Sequence, residues 1–125
     1  MTLVLDSGAL IALERNDPAM WRRLKGAANQ NTVPITHGGV LGQAWRGGSR
    51  QARLARALEG IDVRPLDAAL GRAAGELLGR TRGADVVDAA LVLLANDGDV
   101  IVTSDLDDLE PLARASQRHV ELVRT

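Results

Sequence analysis

Two short runs near opposite ends of the chain carry no charged side chain, and each gives way to an acid. Leu3-Val4-Leu5 stops at Asp6, and Val100-Ile101-Val102-Thr103 is followed by Ser104-Asp105. Strands without polar alternation need cover on both faces, as in a parallel sheet sandwiched between helices. Between these two runs, helical spacing alternates with further short strands. Ser7-Gly8 opens a helix running to Glu14, Asp17-Pro18 starts a second that turns Trp21 and Leu24 inward, and Val33–Thr36 reads as a strand. Val40–Trp45 reads as a helix stopped by Gly47-Gly48, and Ser49 as the cap of the next, with Leu54 and Leu58 on one face. Ile61–Arg64 alternates like a strand. Asp67 caps an amphipathic helix that buries Leu70, Ala73, Ala74, Leu77 and Leu78, and Gly75 within it marks close helix contact. Asp85–Ala95 is apolar nearly all round and reads as a buried helix. A short helix over about Leu106–Ala113 and a last strand or extended tail over His119–Val123 complete the chain. Strand–helix alternation with short turns predicts an α/β fold with a mostly parallel sheet. The 125 residues, 46% of them hydrophobic, are expected to form one domain over 1–125.

There is no cysteine. That removes disulfides, thiol nucleophiles and zinc–thiolate sites, and fits a reducing compartment, so a cytoplasmic location is expected. No apolar run reaches the roughly 20 residues of a membrane span. The net charge of −1 conceals an asymmetry: residues 1–60 hold eight basic and four acidic side chains, and residues 61–125 hold seven and twelve. Uniform polyanion binders are net basic, so that simple class is disfavoured. With two tryptophans and no Phe or Tyr, a base-stacking platform is nearly excluded.

In open α/β sheets, ligands bind beyond the carboxyl ends of the strands. Asp6 and Asp105 fall there. Asp88 adds a third acid, set within Val86-Val87-Asp88-Ala89-Ala90-Leu91, where a lone carboxylate is costly unless paired or metal-bound. Asp85, one turn earlier, shares its face. Each of these acids also makes a plausible helix cap or first-turn residue, and that reading stands beside the functional one. No phosphate-binding loop, nucleophile elbow or dinucleotide fingerprint is present. His37 and His119 share no ligand spacing and read as surface or loop histidines. Lys25 is the only lysine and sits on a charged helix face, which argues against a receiver-type phosphoryl-transfer domain. Carboxylates without His or Cys form a hard-ligand set, suited to Mg²⁺ or Mn²⁺ and hence to phosphodiester chemistry.

The ordered set LVLDSGALIALERND, VLGQAWRGGSRQARLARAL, RPLDAALGRAAGELLG, ADVVDAALVLLA and VIVTSDLDDLEPLA spans nearly the whole chain. It resembles the PIN-domain ribonucleases, in particular the toxins of VapBC-type toxin–antitoxin pairs. The resemblance implies a three-layer α/β/α sandwich and an acidic site, dependent on Mg²⁺ or Mn²⁺, that cuts RNA endonucleolytically. It maps Asp6, Asp88, Asp105 and Asp108 onto the metal-binding acids. Gln43 stands where these proteins usually carry a glutamate; an amide ligates without adding charge, and Asp85, or less well Glu14, would compensate. The catalytic set is therefore Asp6, Asp88, Asp105, Asp85 and Gln43. Arg46, Arg50, Arg53 and Arg82 are candidate RNA contacts through phosphate. A cognate antitoxin and a homodimer are the implied protein partners, with apolar faces around Leu10, Leu13 and Trp21, or Trp45 and Leu54, as candidate surfaces. A binding-only domain weakened by Gln43 is the competing reading.

Overall fold

The computed structural model describes residues 1–82 and 85–125; Ala84, the first residue of ADVVDAALVLLA, falls outside them. In chain order the elements are β1 (Leu3–Leu5), α1 (Ser7–Glu14), α2 (Pro18–Asn29), β2 (Ile35–His37) and α3 (Gly38–Ala44). A 3-10 turn (Ser49–Gln51), α4 (Ala52–Leu58), β3 (Asp62–Arg64) and α5 (Ala68–Leu78) follow. Last come α6 (Val86–Leu94), β4 (Val100–Thr103), α7 (Leu106–Ser116) and β5 (Glu121–Arg124).

The strands form one sheet in the order β3-β2-β1-β4-β5, and every adjacent pair is parallel. The two apolar runs are therefore neighbours at its centre, with Leu3 opposite Val100, Val4 opposite Ile101 and Leu5 opposite Val102. All seven of their residues are buried. From β1 the chain steps outward to β2 and β3, then returns to place β4 and β5 on the other side. With right-handed crossovers, connections running in opposite directions lie on opposite faces of a sheet. The helices sort accordingly: α3 and α4 pack on α1, while α5, α6 and α7 pack on one another. This is the three-layer α/β/α sandwich expected. The strand order reverses between β1 and β4, and a crevice opens at such a point beyond the carboxyl ends of the strands.

Several local expectations change. β2 begins at Ile35, leaving Val33 exposed. Pro34 has no N–H to give a ladder, although its carbonyl accepts from Asp62 N at 2.8 Å. α3 starts two residues earlier than expected and is capped by His37. Ser49 caps nothing: it opens the 3-10 turn behind Gly48, whose φ of 89° favours glycine. α7 continues through Pro111 to Ser116, ended by Gln117 in the left-handed region. On α2 the buried residues are Met20 and Ala27, while Trp21 and Leu24 are half-buried and Trp21 Nε1 donates to Leu13 O. Leu10, Leu13 and Leu54 lie wholly inside the core and present no surface to a partner.

Gly75 does not mark a close helix contact. It is exposed, and a Cβ built on it meets nothing within 4 Å. Gly75→Ala should therefore raise stability by about 0.5–1 kcal/mol, the difference in helix propensity. Urea titration would show a higher midpoint at unchanged slope; a lower midpoint would mean that the glycine meets a constraint.

Candidate active site

Five helices open on an aspartate cap, and three of these caps, on α1, α6 and α7, are acids singled out from the sequence. Asp6 Oδ1 accepts from Ala9 N at 3.0 Å, Asp85 Oδ1 from Asp88 N at 2.8 Å and Asp105 Oδ1 from Asp108 N at 3.3 Å. For Asp85 and Asp105 the capping and functional readings are thus not alternatives, because the cap engages one of two carboxylate oxygens. A helix N-terminus also carries partial positive charge that favours the anion.

Asp6 is the most constrained of the group. It is buried, and its second oxygen accepts from the Thr103 hydroxyl and from Ser104 N at 3.3 Å. Thr103 Oγ1 in turn accepts from Asp105 N at 2.9 Å, which fixes the direction in which the hydroxyl proton points. One buried hydroxyl thereby sets Asp6 against the turn that carries Asp105. Gly8 permits the close approach of that turn: a Cβ there would lie 2.3 Å from Ser104 Oγ. A cleft of about 410 Å³ lined by Gly8, Ile11, Arg15 and Ser104 adjoins this contact.

Asp88, in the first turn of α6, is half-buried. Burial and then the charges of Asp85, Asp108, Asp6 and Asp105 push its carboxyl up to about 6 from the usual 3.8. The Asp108 carboxyl is also raised, first by its hydrogen bond with Asp105 and then by the charge of Asp105. The structure therefore brings together all five aspartates singled out from the sequence, close enough for their charges to act on Asp88. The ion pairs Arg64–Asp62 and Arg114–Glu110 lie elsewhere and draw on none of the five. Among the described residues the Asp88 oxygens accept no hydrogen bond. Among the same residues no three His, Cys, Asp or Glu side chains are already closed into a metal-holding group. The donor set is nevertheless all oxygen and strongly anionic, which fits a hard divalent cation.

Gln43 is exposed and makes no hydrogen bond to any of the five acids. Glu14 does not compensate for it. Glu14 sits at the far end of α1, where Gln51 Nε2 donates to its Oε1 at 2.5 Å. Gln51 also donates to Ala44 O and accepts from the N–H groups of Arg46 and Gly47, so its buried amide holds the W-R-G-G loop. Arg50, Arg53 and Arg82 are exposed. Arg46 folds back so that Nη1 donates to Gly42 O and Trp45 O at the end of α3.

Sequence reading missed His37. It is fully buried, not a surface or loop residue. Its Nδ1 accepts from Gly39 N at 3.0 Å and its Nε2 lies 2.9 Å from Val87 O. Burial lowers its pKa, with the Val87 bond opposing. Thr103, Ser104 and Gly8 were missed as well. The only signal for them was their position beside the acids, as the last residue of β4, the first of its following turn, and the second of α1.

No family model matches the chain, and no curated protein does. Among solved structures, a chain in the crystal structure of VapBC2 from Rickettsia felis, bound to a DNA fragment from its promoter, is similar in fold. The TM-score is 0.69 at 17% sequence identity, over 98% of each chain.

Proposed function

We propose that this chain is a divalent-cation-dependent endoribonuclease and the toxin of a VapBC-type pair. The observation that carries the reading is the group of five aspartates at the β1/β4 switch point, with more negative charge than their protein partners offset. Asp6, Asp88, Asp105 and Asp108 would hold Mg²⁺ or Mn²⁺. Such a cation, when bound, acidifies water and stabilises charge on a phosphoryl group. Asp6 serves as the fixed member, held by Ala9 N, Thr103 and Ser104 N. Asp85, with one oxygen committed to its cap, offers the other to take the proton of the attacking water. As the water oxygen bonds to phosphorus, the bond from phosphorus to the leaving ribose oxygen breaks. Arg50, Arg53 and Arg82, which are exposed, and the unengaged nitrogens of Arg46 would contact phosphates. The fold likeness to a chain of a VapBC2 complex supports an antitoxin partner. A homodimer and a cytoplasmic location belong to the same proposal; no helix of the described residues is long and apolar enough to cross a membrane.

Gln43 favours a second reading, a domain that binds RNA or antitoxin without efficient cleavage, because it brings no charge to the cluster. Incubating RNA with the protein in Mg²⁺, in Mn²⁺ and in EDTA separates the two. Internal cleavage that requires the cation is the expected result. RNA binding without cleavage in either metal would establish the second reading, and cleavage undiminished by EDTA would overturn the first.

A further inference from the structure

We infer that His37 is a positioning residue, a neutral imidazole that straps the first turn of α6, and with it Asp88, to the junction of β2 and α3. The inference rests on the reading of the aspartate group as the reaction site. The tautomer follows from the partners: Gly39 donates its N–H to Nδ1, so the ring proton is on Nε2 and is donated to Val87 O. Val87 directly precedes Asp88, and the two bonded residues are separated by 50 positions. The Val87 carbonyl lies inside a helix, where it already has a backbone donor in the α-helical pattern. The His37 bond therefore adds a second, lateral tie to the turn. The ring has no access to solvent, so water does not compete for it.

Gly39 is a second, independent sign that the ring's place is fixed. A Cβ on Gly39 would lie 2.9 Å from His37 Cε1 and 3.1 Å from Nδ1, so the missing side chain leaves the space the imidazole occupies. A histidine needed only to cap α3 would not reach across to another helix, because asparagine or serine caps as well with a shorter side chain.

Two substitutions separate the cap from the strap. His37→Asn keeps an acceptor where Nδ1 lies and loses the reach to Val87. His37→Gln places an amide N–H near the Nε2 position and gives up the cap. Thermal melts, amide exchange across 86–92 and steady-state RNA cleavage in Mg²⁺ would be measured on the full chain. The expected outcome for His37→Asn is a near-native Tm, faster exchange in α6 and kcat lower by about tenfold, with KM unchanged. His37→Gln should have the lower Tm yet recover slow exchange and most of kcat. Gly39→Ala, which displaces the ring but keeps the imidazole, should behave as His37→Asn does in α6. Unchanged exchange and kcat in His37→Asn would overturn the inference. So would kcat that simply follows Tm across the three variants. If the unmutated protein cleaves no RNA, the reaction reading fails, and exchange in α6 still decides whether His37 holds that turn.

Discussion

Asp88→Asn is expected to lower RNA cleavage by more than about a hundredfold and at the same time to stabilise the cation-free protein above pH 6. The loss of activity follows from removing an anionic ligand from the middle of the cluster, since partners one bond further from a metal already cost 10–100-fold. The gain in stability follows from the raised carboxyl. Its folded value of about 6 exceeds the ordinary 3.8, so its contribution to stability is full below 3.8 and is lost as pH rises through about 6. A shift of this size on a fully buried group would amount to about 3 kcal/mol. Asp88 is half-exposed, so water screens it, and about 1 kcal/mol is the appropriate figure. For a chain of this length that corresponds to roughly 4 °C in Tm. Melts in EDTA should show the variant ahead at pH 7 and level with the unmutated protein at pH 4. Added Mg²⁺ should then raise the Tm of the unmutated protein alone, by mass action on the folded state. A variant less stable at pH 7 would contradict the electrostatic account of this site.

His37 acts with the opposite sign. Its pKa is lowered, so its contribution is present above 6.5 and is lost as pH falls from there. In the unmutated protein the two groups offset each other across the weakly acidic range. In Asp88→Asn the histidine is left, and its contribution to stability should rise from mildly acidic to neutral pH.

The difference between what could and could not be read from the chain has a physical basis. LVL and VIVT were legible as central strands because an unbroken apolar run has no solvated face, and βα alternation made the sheet legible as mostly parallel; the strand order was not legible, since the same alternation serves several orders. Asp6 and Asp105 were legible because they stand where those strands end, and Asp88 because it interrupts an otherwise apolar helix. Which carboxylate oxygen caps a helix and which stays available was not legible, since both roles favour the same residue at the same position. His37 was illegible for a different reason. It follows the strand expected over Val33–Thr36 and precedes two glycines, so it reads as a loop residue, and its burial depends on a carbonyl in another helix. Gln51 is a similar case: an amide in a basic, polar segment looks solvent-facing until Glu14, Ala44 and the W-R-G-G loop close on it. Gly75 fails in the other direction, because a glycine in a helix suggests a neighbour and here there is none.

Gly8→Ala should cost both stability and activity, although helix propensity alone favours alanine over glycine by about 1 kcal/mol. The added Cβ would stand 2.3 Å from Ser104 Oγ, 2.6 Å from Ser104 Cβ and 3.1 Å from Ser104 N. The hydroxyl can rotate away, but the Cβ and the amide are fixed by the backbone. Relief therefore requires the β4–α7 turn to move. That turn carries Ser104 N, bonded to Asp6, and Asp105, whose own N–H meets Thr103. Overpacking of this kind costs typically 1–3 kcal/mol, so a net loss of about 1–2 kcal/mol is expected after the propensity gain. Displacing an acid by about 1 Å can lower a rate by about a hundredfold, which sets the scale for cleavage. The cause can be isolated with a second substitution. Ser104→Gly removes the two closest atoms, so the double variant Gly8→Ala/Ser104→Gly should be more stable than the two single effects predict. Additive effects would show that the contact between α1 and the β4–α7 turn does not set the geometry of Asp6 and Asp105.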